Sequence, residues 1–303
     1  MIYLILDGRI GNQLFMYSYA RKLAFANPGQ RIIIDDSAVL KRGYENLLPE
    51  YPLGNDIEYV HDRKCLASRP LVGRYAVYTL YRLFRKPLGF RRRYRLEKAC
   101  KPLFEKLGTY FCENGYLDFS EKIPSNVLLS GYFQSDKYFK GIDKELRASF
   151  SLEGDERIEN YPNIDLIRDR NSVCISIKVQ HNVGNSIYDV CNDGYWQKAV
   201  DYVIEKVDNP LFFICSDNVA YVKEHLIDTE KYEAVFQSKD CAVCESLAVM
   251  GMCKHFVIGN TTFGWWAQYL NPHEDKIVVA PSKWMSIDMP IDIYQDNWHL
   301  IEV

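Results

Sequence analysis

No apolar run in the chain approaches the ~20 residues a bilayer-spanning helix needs, so a protein held by membrane-crossing helices is excluded. Met1 opens directly into an apolar strand, without the charged-then-apolar leader of a secreted protein, and a cytoplasmic location is expected. The nine cysteines are odd in number and scattered, which argues against a disulfide framework and for reduced thiols. Cys241-x-x-Cys244, with Cys253 and His255 beyond it, invites a zinc reading. The second closely spaced pair is missing, and helical periodicity through Ala242, Glu245, Leu247 and Met250 assigns these residues to helix and strand cores instead. There is no internal repeat and no low-complexity tract. A net charge of -3 gives no global field to recruit nucleic acid.

What is present is ordinary globular composition, 48% hydrophobic and 25% charged over 303 residues, enough for one large or two ordinary domains. The 22 tyrosines and 15 phenylalanines suit sugar-stacking surfaces and ordinary cores equally. The small net charge hides an asymmetry. Arg69 to Lys101 holds eleven Lys or Arg against Glu97 alone, a local +10 that leaves -13 for the remainder. Tyr75, Tyr78, Tyr81, Leu83, Phe84, Leu88 and Phe90 lie among these charges. Such a stretch reads either as a solvated basic helix pair or as a surface that rests on anionic lipid at the inner membrane face. No nucleic-acid-binding motif accompanies it.

Taken in order, Ile2–Leu6 reads as a buried strand, Asp7–Gln13 as a glycine-punctuated turn, and Leu14–Ala26 as a helix stopped by Asn27-Pro28-Gly29. A further strand follows at Arg31–Asp36, completing a βαβ unit of the doubly wound kind. Its turn carries Gly8 and Gly11 rather than a three-glycine fingerprint, so NAD is not expected even though Asp35 falls near the usual ribose-binding position. Ser151–Arg170 is acidic, polar and turn-prone and reads as an inter-domain linker. Strands and helices then alternate from Val173 to Ala280, the signature of a parallel sheet. Two domains are expected, 1–150 and 151–303.

The stretch with the clearest chemistry is Lys254 to Asn271. Phe256–Ile258 is a short buried strand, Gly259-Asn260 is turn chemistry, and Thr261 or Thr262 is a natural N-cap. Phe263, Trp266, Ala267 and Leu270 then recur at helical spacing. A strand that leaves its sheet through a tight turn into a helix presents unpartnered backbone N–H groups, here beside two hydroxyls. That assembly attracts an anion, usually a phosphate, although self-capping helices that bind nothing have the same look.

Four blocks in this order resemble glycosyltransferase family 11, the α-1,2-fucosyltransferases, in its bacterial form. They are Gly8-Arg-Ile-Gly-Asn-Gln-Leu-Phe15, Gly131-Tyr-Phe-Gln-Ser-Asp-Lys-Tyr-Phe139, Ile214-Cys-Ser-Asp217 and Met250 to Trp266 with Pro281 and Trp284 beyond. One family block departs. Where an H-x-R-R-G-D-Y motif belongs, this chain has Lys178-Val-Gln-His-Asn-Val-Gly184, so the family's phosphate-binding arginine falls on Gln180 and its acid on Val183.

The resemblance implies an α/β fold of two Rossmann-like domains facing a cleft (GT-B-like), with the acceptor on the N-terminal domain and the nucleotide sugar on the C-terminal one. It implies an inverting transferase that moves L-fucose from GDP-fucose to a 2-hydroxyl of galactose type on a cell-surface glycan precursor, the acceptor being an oligosaccharide or a lipid-linked glycan. Two alternatives stay open: a related transferase with another nucleotide-sugar donor, and a non-catalytic sugar-nucleotide-binding relative. Donor contacts are expected from Arg9, Gly11, Asn12, Gln13, Gln180, Asp217, Thr261, Thr262 and Phe263. Lys178, His181 and Asn12 are expected to meet the charge that grows on the departing diphosphate. No acid-rich cluster lies near these turns, so neither a metal nor any other cofactor is expected. The general base is open among Asp7, Asp189 and Asp193.

Overall fold

Short, almost wholly apolar segments form two parallel sheets, as expected of strands covered by helices on both faces. The computed structural model describes residues 1–62, 71–182, 187–191, 193–228 and 231–303, the side chains of His181, Asn182 and Asp193 excepted. The chain divides into two compact units: Met1–Ser149 with Asp288–Tyr294, and Phe150–Ile287 with Gln295–Val303.

In the first unit β1 (Ile2–Ile5) leads through a turn into α1 (Ile10–Ala26). Then come β2 (Ile32–Asp35), the single-turn α2 (Ser37–Lys41), β3 (Ile57–Val60), α3 (Val72–Arg85), α4 (Phe90–Lys106), β4 (Thr109–Cys112), β5 (Val127–Gly131) and α5 (Asp143–Ser149). The sheet order is β3-β2-β1-β5-β4, every pair parallel. The chain therefore steps outward from β1 in one direction and returns to its other side, so the topological switch point lies between β1 and β5. Helix α1 begins four residues before the sequence pattern suggests. Gly8, at φ +77°, makes the turn by itself, which lets Gly11, Asn12 and Gln13 form the helix's first turn rather than a loop.

The basic insertion is a packed layer. Tyr78 and Tyr81 of α3 and Phe104 of α4 join Tyr3, Ile5, Phe111 and Leu128 in one cluster against the sheet. Only one narrow face of each helix is buried. On α3, Val72, Leu80, Leu83 and Phe84 are exposed, and on α4 so are Arg91, Arg92 and Arg95.

The second unit opens with α6 (Glu156–Glu159) and α7 (Ile164–Asp169), where a linker is expected from the polar sequence. The segment is folded because Ile158, Tyr161, Ile164 and Ile167 recur at helical spacing and are all buried. Then follow β6 (Ser172–Ile177), α8 (Val179–Asn182), α9 (Asp193–Lys206), β7 (Leu211–Ser216), α10 (Val219–Tyr221, continued as a π-helix to Leu226) and β8 (Ala234–Phe236). Helix α11 (Val243–Gly251), β9 (His255–Ile258), α12 (Thr262–Leu270), β10 (Val278–Pro281) and β11 (His299–Ile301) complete it. The order β11-β10-β9-β6-β7-β8, again all parallel, puts this switch point between β6 and β9. Cys244 on α11 and Cys253 are core residues. Among the described residues, no three His, Cys, Asp or Glu side chains are grouped to hold a metal ion. No helix of the described residues is long and apolar enough to cross a membrane.

Candidate functional site

In open α/β sheets a ligand sits outside the carboxyl ends of the strands at the switch point, because there the flanking connections diverge and leave a crevice. In the second unit that position belongs to the ends of β6 and β9. Ser176 pairs in register with Ile258, and Gly259 N–H bonds to Ser176 O at 3.1 Å, so Lys178 and the Gly259–Thr262 turn leave the sheet side by side.

The turn is built to hold one shape. Asn260, 3% exposed, donates its amide to Tyr188 O and Trp284 O, each at 2.9 Å. Tyr195 Oη donates to Ile258 O at 2.5 Å. Thr261 is the N-cap of α12, its hydroxyl accepting from Gly264 N–H at 3.1 Å. Gly264 has no room for a side chain, since a Cβ there would lie 3.0 Å from Ser176 Oγ and 3.2 Å from Ile258 Cβ. Thr262 and Phe263, in the first turn of the helix, are half-buried. Asn260, Tyr195 and Ser176 are missing from the sequence-level set. Their role is to fix the backbone, and only the Gly-Asn turn hinted at it.

Lys178 follows β6 and is half-buried, its ammonium 3.8 Å from Asp217 Oδ2. Asp217 follows the end of β7 and also accepts from Val179 N–H at 2.7 Å and Gln180 N–H at 3.3 Å. Its carboxylate thus caps α8 and faces Lys178, the turn-capping role that competes with a ribose contact. The Gln180 side chain is exposed. The side chain of His181 lies outside the described residues, as does that of Asp193.

The first unit holds the other sequence-level residues. Arg9 is exposed and stacks over the Tyr44 ring at 5.2 Å. Gly11 is buried. Gln13 is fully buried and its amide is saturated by backbone: it donates to Gly8 O (3.0 Å) and Glu45 O (2.8 Å) and accepts from Leu47 N–H (3.0 Å). It is a clamp between the glycine turn and the loop after α2. Asn12 is half-buried, and its Oδ1 accepts from Gln134 Nε2 at 2.8 Å. The first two sequence blocks therefore meet in space. Of the acids, Asp189 is exposed, whereas Asp7 lines a cavity of about 560 Å³ at the first switch point. Asp7 accepts from Gly8 N–H at 2.7 Å and pairs with Arg42 at 2.9 Å.

A family model described as glycosyl transferase family 11 matches residues 106–302. The chain is 23% identical over 314 residues to the O-antigen biosynthesis glycosyltransferase WbnK of Escherichia coli, covering 98% of this chain and 99% of that one. It is 27% identical over 189 residues to an α-1,2-colitosyltransferase of Escherichia coli, covering 58% and 63% respectively. Among solved structures, the NodZ α-1,6-fucosyltransferase soaked with GDP-fucose superposes with a TM-score of 0.54 at 11% identity, covering 95% of this chain and 99% of that one. That likeness is one of fold, the pair of Rossmann-like domains. With a family match over most of its length, the chain belongs to glycosyl transferase family 11 and is a glycosyltransferase.

Proposed function

We propose that the protein transfers L-fucose from GDP-fucose, with inversion, to a 2-hydroxyl of galactose type on a cell-surface glycan precursor. The observation that supports this most is the switch point of the second sheet, where the first turn of α12 and Lys178 stand together at the strand ends. Helix N-terminal N–H groups and one ammonium are what a departing nucleoside diphosphate requires, because its negative charge grows as the glycosidic bond breaks. Thr262 and Phe263 would border the donor. Asp7 is the general base of this reading, since it lines a cavity at strand ends whereas Asp189 is exposed. Chemistry by charge and dipole alone calls for no metal, so GDP binding should survive EDTA.

The deciding measurement is transfer from GDP-fucose to a galactose-terminated acceptor, with the product linkage read by NMR. An α-1,2-linked product supports the proposal. Hydrolysis only, or no turnover with any acceptor, overturns it.

A second reading follows from one observation. The residue in the family's arginine position is Gln180, exposed and uncharged. A donor with a different sugar, as the colitosyltransferase relative's name indicates for that protein, would use the same diphosphate site. A panel of GDP sugars in the same assay separates the two.

The exposed Leu80, Leu83 and Phe84 on α3, together with exposed Arg91, Arg92 and Arg95 on α4, support peripheral docking on an anionic membrane face. Flotation with liposomes should depend on anionic lipid. Binding indifferent to lipid charge sinks this part of the reading.

A further inference from the structure

The cavity at the switch point of the first sheet has a composition that its strand-end residues do not explain. Ile5 and Asp7 come from the end of β1, and Ser130, Gly131 and Tyr132 from the end of β5. The remaining wall carries four cations, Lys41 and Arg42 around the end of α2 and Arg82 and Arg85 from α3, against two acids, Asp7 and Glu113. Two of the cations are matched. Arg42 pairs with Asp7 at 2.9 Å, and Arg85 pairs with Glu113 at 2.6 Å. The other two are not: among the described residues neither Lys41 nor Arg82 meets a carboxylate, and both are exposed. Arg82 is held over the Tyr78 ring at 5.6 Å.

A neutral occupant would leave those two exposed charges to solvent and gain nothing from them. An occupant carrying its own negative charge would complete the site. We propose that this cavity is an acceptor subsite for a glycan bearing an anionic group, a sugar carboxylate or a carrier-linked phosphate, held by Lys41 and Arg82. Tyr78 and Tyr132 flank the sugar ring. The basic insertion thereby takes a place in substrate choice. This inference rests on the proposed transferase reading only in naming the ligand an acceptor. The anion preference of the cavity stands independently.

The experiment has two arms. In the first, isothermal titration of the intact chain with inorganic pyrophosphate, glucuronate and, as neutral control, galactose is compared with Arg82→Ala and Lys41→Ala. Anion binding that weakens about tenfold or more in either variant, with GDP binding unchanged, is expected. The better binder of the two anions identifies the source of the charge. Equal response to galactose and to the anions, or anion binding unaltered in both variants, overturns the proposal. Loss of GDP binding in the variants also overturns it, because the cavity would then belong to the donor. In the second arm, a uronate-bearing acceptor is compared with its carboxyl-reduced counterpart, and a diphosphate-linked glycan with the alkyl glycoside. The variants should raise KM for the charged member of a pair about tenfold or more and leave kcat and the neutral member's KM unaltered. Equal effects on both members of each pair overturn the proposal. If no acceptor is turned over, the transferase reading fails and the titration still decides the anion site.

Discussion

Gln134 Nε2 donates a 2.8 Å hydrogen bond to Asn12 Oδ1, joining the first turn of α1 to the turn that follows β5. The two residues are 122 positions apart, each in one of the sequence blocks that resemble the family. Their turns flank the switch point between β1 and β5, and both are conformationally forced. Gly8 sits at φ +77° with Asn12 directly above it, and Gly131 sits at φ +142° against Cys112 O. Phe133, buried with φ at +50°, has the same constraint without being glycine. The geometry orients the Asn12 amide, with Oδ1 held by Gln134 and Nδ2 lying over Gly8.

If Gln134 works by orienting Asn12, the two should not act independently. Gln134→Ala should cost about 1 kcal/mol of stability, the usual net worth of a hydrogen bond, and reduce transfer about tenfold. Asn12→Ala should reduce transfer further, and the double variant should be no slower than Asn12→Ala alone. A double-mutant cycle on kcat/KM checks this; strictly additive losses would show two unrelated roles.

Lys178 should contribute to turnover more than to affinity, because the leaving-group charge it faces grows only toward the transition state. A charge-assisted contact is worth about 1.5–3 kcal/mol, so Lys178→Ala should slow transfer at least about tenfold, and Lys178→Arg should restore most of it. The 3.8 Å approach to Asp217 adds a second readout. Asp217→Asn should weaken the cap on α8 and lower stability by about 1 kcal/mol while leaving the Lys178 charge in place. Stopped-flow single turnovers separate the two effects. Full activity in Lys178→Ala would reduce Lys178 to a partner of Asp217.

Much of this was readable in the sequence, and the division has a physical basis. The strand, turn and helix at Phe256–Leu270 were legible because each signal is local: an apolar run, a Gly-Asn turn and a capping threonine. The parallel alternation in the second unit was legible for the same reason. Gln13 is expected as a donor contact from the family resemblance alone, and nothing local in the sequence announces that its amide also joins Glu45 and Leu47. The packing of Ser151–Arg170 was hidden by polar composition, since five buried side chains, Leu152, Ile158, Tyr161, Ile164 and Ile167, suffice to fold it. The Asp7–Arg42 pair and the cavity around it exist only once β1, α2 and α3 are assembled.

Gly264 tests whether the anion site depends on the exact seat of α12. A methyl group at this position would lie 3.0 Å from Ser176 Oγ, so the helix N-terminus must move by a few tenths of an ångström. Gly264→Ala should cost about 1–3 kcal/mol of stability, as overpacking does, and weaken GDP binding. Ser176→Ala removes the nearer obstacle and should recover part of both in the double variant. Calorimetry with and without GDP reads the two quantities together. Unchanged GDP affinity in a destabilised Gly264→Ala would mean that the helix end and the nucleotide do not meet.

The last expectation concerns the basic insertion. Glu97 is fully buried in α4, accepting from the Tyr81 hydroxyl and from Glu113 N–H. Burial pushes its carboxyl from 4.5 up to about 7, the Tyr81 and Glu113 hydrogen bonds only partly opposing the rise. The folded protein therefore holds a proton that the unfolded chain has already released between those two values. Stability from this group is complete below about pH 4.5 and is lost as pH rises to about 7. The total is on the order of 3 kcal/mol at 1.36 kcal/mol per pH unit. Glu97→Gln keeps the shape, removes the proton equilibrium and retains an oxygen to accept from Glu113 N–H. The variant's melting temperature relative to wild type should therefore climb between about pH 5 and pH 8, whatever its offset at the acidic end. A difference that stays flat over this range would show that Glu97 is ionised in the folded protein throughout, with Arg85 close enough to hold the charge.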